Sequence, residues 1–201
     1  MKAGREGSKG RGIKRRTLVK WLLGLGVGSM LAAMASGVNS LKPLIRLREK
    51  EWPKAGDRLV FAVGPDRGKV ITVTGLAYGE ATLALPQGKE SNEENIITLV
   101  KLAPEEFLPP TKVEWTAEGV VAYSAICTHL ACTVLESLRS GEIYCPCHAG
   151  IYDPRRGAEV IGGPPPRPLP QLPIKIEGQG MIIAAGGFEG PVGVCPSCSS
   201  E

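Results

Sequence analysis

The hydrophobic residues of this chain fall into one long uncharged run near the N-terminus and a series of short segments after it. Residues 21–41 contain no charged side chain. At about 1.5 Å per residue, a helix of this length spans roughly 30 Å, the thickness of the hydrocarbon core of a bilayer. We therefore predict one transmembrane helix over residues 18–41.

After residue 42 the hydrophobic residues come in short segments bounded by Gly, Pro and polar turns, without helical periodicity. The content of 26 Gly and 17 Pro also favours short strands and many turns. The pattern predicts an all-β antiparallel domain over residues 58–192. The expected strands are residues 58–63 paired with 69–73, residues 96–102, residues 113–116 paired with 120–124, and residues 174–177 paired with 181–185.

Charge is concentrated ahead of the predicted helix. Residues 1–20 carry eight Lys or Arg and one acidic residue, a net charge of +7, whereas the whole chain carries only +4. The remainder is mildly acidic, so a nucleic-acid partner is not expected. The basic excess predicts a cytoplasmic N-terminus, with the domain on the outer, periplasmic or extracytoplasmic, face of the cell membrane.

The segments divide the chain into a basic stretch (1–17), the helix (18–41), a polar tether or hinge (42–57), the β domain (58–192) and a tail (193–201). The pair Arg15-Arg16 is similar to a twin-arginine export signal, although Leu18 and Val19 depart from its usual residues. The alternative is that these arginines are only part of the inside-facing charge.

Two short motifs hold both histidines and four of the six cysteines of the chain. The first, residues 127–132, is C-x-H-x-x-C with Cys127, His129 and Cys132. The second, residues 145–148, is C-x-C-H with Cys145, Cys147 and His148. Thiolate and imidazole ligands suit zinc, copper and iron. Because each motif offers both ligand types, a binuclear iron–sulfur cluster fits better than a zinc finger, which remains the alternative.

These two motifs resemble the cluster-binding boxes of Rieske [2Fe–2S] proteins of quinol-oxidising cytochrome bc-type complexes. The resemblance implies stacked small antiparallel sheets, with a cluster-binding subdomain over about residues 125–170. It also implies one [2Fe–2S] cluster, with Cys127 and Cys145 on one iron and His129 and His148 on the other. Cys132 and Cys147 would form a disulfide between the two loops.

The resemblance extends to residues around the cluster. Gly163-Pro164-Pro165-Pro166 is similar to the proline loop that covers the cluster, although a rigid connection between strands is the alternative. Tyr152 lies where a tyrosine hydroxyl often bonds a ligand sulfur, and an ordinary half-buried tyrosine is the other interpretation. Gly150 replaces a serine of high-potential members, which predicts a lower potential. Leu130 would belong to the apolar docking tip.

By this resemblance His148 and His129 would be the catalytic residues, taking a proton from quinol within cytochrome b. A lower potential would suit menaquinol as that quinol. The electron would pass to a c-type cytochrome. The alternatives are the Rieske small subunit of an arsenite oxidase and a zinc-stabilised surface domain. The remaining pair, Cys195 and Cys198, is predicted to form a tail disulfide or two free thiols. It is not a haem attachment site, because Ser199 follows where histidine is required.

Overall fold

The computed structural model describes residues 14–41, 51–136 and 141–195, with side chains described for 14–34, 51–135 and 141–195. The chain divides into two units, residues 1–49 and residues 50–201. The basic stretch before residue 14, residues 42–50 of the predicted tether and the end of the tail lie outside the described residues.

The described part of the first unit forms one helix, α1, Arg15–Leu41. It begins three residues before the predicted start, since arginine and lysine continue a helix readily. Its segment Arg15–Met34 is long and apolar enough to cross a membrane. Large apolar side chains such as Trp21 and Leu25 are exposed along it, which suits a helix surrounded by lipid.

The second unit, which we call the head, has three antiparallel sheets among its described residues, as the all-β prediction requires. The first sheet has the order β1-β2-β3-β4, the second is the hairpin β9–β10, and the third has the order β5-β6-β7-β8. The strands are β1 Leu59–Phe61, β2 Ala81–Pro86, β3 Ile97–Lys101, β4 Val120–Ser124, β5 Leu135–Glu136, β6 Ile143–Cys145, β7 Gly150–Asp153, β8 Glu159–Gly162, β9 Ile174–Glu177 and β10 Met181–Ala184.

Strand β4 separates two hydrophobic cores, and every one of its five residues is buried. Because alternate side chains of a strand point to opposite faces, Val120 and Ala122 pack on one side and Val121 and Tyr123 on the other. This two-sided burial explains why the segment is continuously apolar up to Ser124.

We call the two cores the base core and the site core. The base core lies among the first sheet and the β9–β10 hairpin, and the site core includes the third sheet. The base core comprises Leu59, Ile71, Val73, Leu76, Ala84, Ile97, Leu99, Ala117, Val120, Ala122, Leu172, Ile174, Ile182 and Ala184. The site core comprises Val100, Leu102, Phe107, Val121, Tyr123, Ala125, Cys127, Val134, Ile143, Cys145, Tyr152, Ala158 and Leu169.

The prediction of a strand at residues 113–116 is wrong. Val113–Trp115 forms a 3-10 turn, in which the Thr116 amide and hydroxyl both donate to the Val113 carbonyl. These local bonds occupy the carbonyl that a hairpin would need. Strand β4 pairs instead with β3, while the β9–β10 hairpin forms as predicted.

The predicted strand at residues 69–73 is reduced to two isolated bridges, Val60 to Val70 and Thr72 to Met181, and a 3-10 turn at Val73–Gly75. The partner of β1 is β2, which the hydrophobic pattern does not reveal. Only two of the six β2 residues are fully buried, so the strand lacks the clear alternation of a half-buried strand.

Candidate metal centre

The two cysteine–histidine motifs form two loops at the edge of the site core. The first loop, residues 127–132, lies between β4 and β5 and is closed by a hydrogen bond from the Cys127 amide to the Cys132 carbonyl (2.8 Å). The second is the hairpin connection between β6 and β7, in which Cys145 pairs with Gly150. Each loop turns through an alanine with positive φ, Ala131 at 59° and Ala149 at 55°.

A disulfide between Cys132 and Cys147 joins the two loops, as the resemblance implies. The sulfur atoms of Cys132, Cys145 and Cys147 lie within 4.8 Å of one another. Two of these three sulfurs are bonded to each other, so only Cys145 offers a thiolate from this group. The bridge therefore fixes the loops and leaves metal binding to other side chains.

Two free thiols remain among the described cysteines, Cys127 and Cys145, and both are buried. Burial raises the pKa of the Cys145 thiol, and the adjacent Cys127 raises it further. Two neighbouring buried thiols resist simultaneous ionisation unless a cation compensates their charge. The pair therefore has the character of a metal site rather than of two structural cysteines.

The two imidazoles of the motifs lie against each other. The ring centroids of His129 and His148 are 4.8 Å apart in an edge-to-face arrangement. His148 is exposed and His129 half-buried. Within the described part of the chain, His129 Nδ1 is buried and has no hydrogen-bond partner. A buried ring nitrogen without a partner fits a metal ligand, so the residues present fit a [2Fe–2S] cluster with two thiolates and two imidazoles.

Tyr152 lies beneath the first loop, fully buried in β7. Its hydroxyl oxygen is 3.2 Å from Cys127 Sγ and accepts a hydrogen bond from the Thr128 amide (3.3 Å). Burial raises the pKa of the Tyr152 phenol, and its contact with Cys127 adds to the rise. The hydroxyl thus keeps its proton, which it can donate to a thiolate at Cys127.

The proline loop lies against the second loop. Pro165 is buried and Pro164 is exposed. Gly163 has a φ of 80°, and a Cβ built on it would lie 2.8 Å from Gly150 Cα. Leu130 is 58% exposed, so the first loop presents an apolar side chain to solvent.

Sequence reasoning missed two residues that hold the first loop. The Thr128 hydroxyl donates to the Arg167 carbonyl (2.7 Å), and the Arg167 guanidinium donates to the Gly193 carbonyl. Thr128 lies inside the first motif, where its position could have drawn attention. Nothing in the sequence marks Arg167. Cys195 takes part in a disulfide, whereas Cys198 lies outside the described residues.

Comparison with known proteins finds similarity to Rieske proteins at the levels of family and sequence. Residues 89–173 match the family model of the Rieske [2Fe–2S] domain. A respiratory nitrate reductase Rieske subunit from Haloferax mediterranei is 38% identical over 90% of this chain and 80% of its own length. Cytochrome bc1 complex Rieske iron–sulfur subunits from Streptomyces lividans and Streptomyces coelicolor are 34% and 32% identical. The alignments cover 75% and 94% of this chain, and 92% and 56% of those two proteins, respectively.

Among solved structures, a hyperthermophilic respiratory Complex III chain aligns with 80% of this chain and 98% of its own length. The TM-score of that alignment is 0.41 and the sequence identity is 28%.

Proposed function

Since the chain belongs to the Rieske [2Fe–2S] family and its cofactor is therefore one [2Fe–2S] cluster, we propose that it is the iron–sulfur subunit of a quinol-oxidising cytochrome bc complex. The observation that carries this proposal is that two disulfide-joined loops together hold two free buried thiols and two imidazoles whose rings are in contact, one of them exposed. An exposed ligand histidine gives an outside molecule access to the site.

Cys127 and Cys145 would hold one iron, and His129 and His148 the other. When bound, a cluster of this kind supplies one-electron chemistry, and histidine ligation raises its potential. The fit is supported by the burial of both thiols and by the unpartnered Nδ1 of His129. The Tyr152 hydroxyl would donate to Cys127 Sγ and so favour the more negative, reduced state.

The two imidazoles would do the proton chemistry. His148 is exposed, so its ring can reach a quinol hydroxyl and accept its proton, and His129 would assist beside it. Leu130, next to His129 and also exposed, provides an apolar contact for the rim of the quinol site. The proposed partners are therefore quinol, a cytochrome b subunit and a c-type cytochrome.

The proposed setting is the cell membrane. Helix α1 would anchor the chain, and the basic residues at its start would keep the N-terminus in the cytoplasm and the head on the outer face. Residues 42–50 would belong to a tether that lets the head move between a quinol site and its electron acceptor. The names of the two Streptomyces relatives support the bc assignment.

A second candidate is an electron-transfer subunit of a respiratory nitrate reductase, favoured by the relative from Haloferax mediterranei. None of the relatives described above is an arsenite oxidase subunit. Purification of the native complex separates the candidates, because a bc complex brings b-type haem with this chain, whereas a nitrate reductase brings its own catalytic subunit.

The experiment that tests the site is EPR spectroscopy of the reduced protein in membranes. We expect a signal of a histidine-ligated [2Fe–2S] cluster that disappears in His129→Ala and is unchanged in the control Cys195→Ser. Reduction by quinol should be rapid, and the midpoint potential should fall as the pH rises in the alkaline range, because proton uptake accompanies reduction. A full signal in His129→Ala contradicts the ligand assignment, and a potential independent of alkaline pH contradicts the quinol chemistry.

A further inference from the structure

The proline loop and the second loop fit together through two glycines. Gly150 is buried at the start of β7, and a Cβ built on it would lie 2.6 Å from Cγ and 3.2 Å from Cδ of Pro165. Gly163 also lies against the second loop, since its own Cβ would lie 2.8 Å from both the Ala149 carbonyl carbon and Gly150 Cα, with the Ala149 carbonyl oxygen nearer still. Each loop thus has a glycine where the other leaves no room for a Cβ.

The Pro165 ring has little freedom to move away. It is buried, and the prolines on both sides of it restrict the backbone φ at positions 164 and 166. A side chain at position 150 would also contact Cys145, whose Cβ lies 3.5 Å from the built atom. A larger residue at position 150 therefore has to displace the proline loop rather than share the space.

We propose that Pro165 is a positioning residue that holds the proline loop on the second loop, and that Gly150 is glycine because Pro165 occupies the side-chain space. This inference rests on the proposed function only in taking these loops as the ligand loops. A serine here cannot simply add a hydroxyl, because its Cβ alone already displaces Pro165.

The test compares Gly150→Ala, Gly150→Ser, Pro165→Ala and the double variant Gly150→Ser/Pro165→Ala in the full-length protein. Both single substitutions of Gly150 should lower the midpoint of thermal unfolding of the head by roughly 3–9 °C, the range expected for overpacking in a domain of this size. They should also shorten the lifetime of the cluster absorbance in the presence of an iron chelator. The matched control is Gly190→Ala, where a Cβ would meet no atom within 4 Å.

The double variant carries the decisive comparison. With the Pro165 ring removed, serine at position 150 gains room, so the double variant should be at least as stable as Gly150→Ser. The proposal is contradicted if the double variant lowers the thermal midpoint by the sum of the decreases in Gly150→Ser and Pro165→Ala. It is also contradicted if Gly150→Ser leaves the thermal midpoint unchanged. The thermal measurement does not involve quinol, so its failure is distinct from failure of the proposed function.

A separate set of contacts shows where the head begins. Asn95 is completely buried, and its side-chain amide donates to the Glu51 carbonyl (2.7 Å) and the Lys89 carbonyl (3.2 Å). The Lys89 ammonium group donates to the Trp52 carbonyl (3.0 Å). Two successive backbone carbonyls at the start of the head are thus held by side chains from one distant loop.

The residues that follow are held as firmly. Pro53 is buried, the Gly56 amide donates to the Ala184 carbonyl (2.9 Å), and the Ala184 amide donates to the Asp57 carbonyl (2.8 Å). Asp57 also forms an ion pair with Lys89 in a mostly buried position. Residues 51–57 are therefore part of the head, although their sequence predicts that they belong to the tether.

We infer that Asn95 acts as a latch that fixes the Glu51 backbone to the head, so that the tether comprises residues 42–50 rather than 42–57. Nine residues reach at most about 30 Å when fully extended, whereas the sixteen residues expected from the sequence would reach roughly 55 Å. The latch would thus set how far the head can travel. The inference rests on the proposed function for the existence of a tether.

Limited trypsin digestion of the full-length protein in detergent, read by mass spectrometry, tests this latch. Trypsin sites occur at Arg46, Arg48 and Lys50, and again at Lys54 and Arg58. We expect cleavage in the first group and protection of the second. In Asn95→Ala, cleavage after Lys54 should become roughly tenfold faster, because three hydrogen bonds of a buried side chain are lost, two that it donates and one that it accepts from Asn92.

The matched control is Thr98→Val, which changes a buried polar residue on the neighbouring strand whose hydroxyl has no partner in the described part of the head. It should leave the cleavage pattern unchanged. Equal cleavage after Lys50 and Lys54 in the parent protein, or an unchanged rate in Asn95→Ala, overturns the latch. Digestion is independent of cluster and quinol, so this result stands apart from the test of function.

Discussion

The two cores of the head differ in the kinds of side chain that form them. The base core is formed by aliphatic side chains, with Phe61 and Phe188 packed against it. The site core contains two free cysteines and the two fully buried tyrosines, Tyr123 and Tyr152. The left-handed conformation, which side chains disfavour, occurs at Ala158 of the site core and at Ala131 and Ala149 of the two loops, whereas beside the base core it occurs at Glu118.

This difference indicates how each half is stabilised. Burial of aliphatic side chains is sufficient for the base half, and it needs no particular geometry beyond good packing. The site half combines less favourable backbone with polar groups that need partners, so it depends on the disulfide, on the tyrosine hydrogen bonds and on bound metal. Substitutions that remove one of these contributions at a time should therefore show which half of the head each contribution stabilises.

The largest effect is expected from Leu99→Ala in β3. Leu99 is completely buried in the base core, so its truncation should lower the free energy of unfolding by about 2–5 kcal/mol. Chemical denaturation monitored by circular dichroism measures this loss. The control Leu135→Ala removes a leucine that is 44% exposed in β5 and should change stability by no more than about 0.5 kcal/mol. Equal losses in the two variants contradict the assignment of the base core.

Next in size is removal of the disulfide by Cys132→Ser together with Cys147→Ser. The bridge closes a loop with a sequence separation of 15, for which a stabilisation of about 3 kcal/mol is expected. The loss should be confined to the site half, with early loss of the cluster absorbance and retained β-sheet signal. Cys195→Ser, which breaks a disulfide outside the two loops, is the control. Simultaneous loss of both signals at the same denaturant concentration argues against a separable site half.

Much of the fold follows from the sequence where packing alone decides the structure. The apolar segment of β4 and the β9–β10 hairpin with its glycine-containing turn are correctly predicted, because their patterns match the environment they occupy. The strand β2 and the turn at Val113–Trp115 are not, because pairing partners and local hydrogen bonds decide them. The secondary-structure propensities of the residues involved therefore predict neither β2 nor this turn.

The site is predictable in its chemistry but not in its packing. The motifs name the cysteines and histidines, and the resemblance supplies the disulfide and Tyr152. By contrast, the contact between Gly150 and Pro165 depends on the meeting of two loops that are distant in sequence. The same is true of Thr128 and Arg167, whose bond links segments 39 residues apart.

A smaller effect, but a more specific one, is expected from Tyr152→Phe compared with Tyr123→Phe. Both hydroxyls are buried in the site core, but Tyr123 donates to the Pro154 carbonyl (2.9 Å) and Tyr152 contacts Cys127 Sγ. Each variant should lose about 0.5–1.5 kcal/mol of stability. Only Tyr152→Phe should also lower the midpoint potential, by several tens of millivolts, given that about 59 mV corresponds to 1.4 kcal/mol for one electron. A redox titration in which both variants shift equally contradicts a direct role of the Tyr152 hydroxyl.

The smallest effect concerns pH. Hydrogen bonds from the Tyr78 hydroxyl and the Ala103 amide, with Arg155 nearby, lower the pKa of Glu106 below its ordinary value. Because the folded-state pKa is the lower one, this carboxylate contributes stability above about pH 4.5, and the contribution is lost as the pH falls through the folded-state pKa. Glu106→Gln should therefore lower the thermal midpoint at pH 7 and have less effect at pH 3. If Glu106→Gln instead lowers the thermal midpoint more at pH 3 than at pH 7, folding does not lower the pKa of Glu106.

The position of β4 between the two cores has a consequence for cooperativity. If the site half opens alone, Val120 and Ala122 remain covered by the base core, and if the base half opens alone, Val121 and Tyr123 remain covered by the site core. The amide protons of this strand should therefore exchange with solvent only through global unfolding, even where the loops around it exchange quickly. Such a strand lets the cluster loops fluctuate without transmitting their motion to the rest of the head.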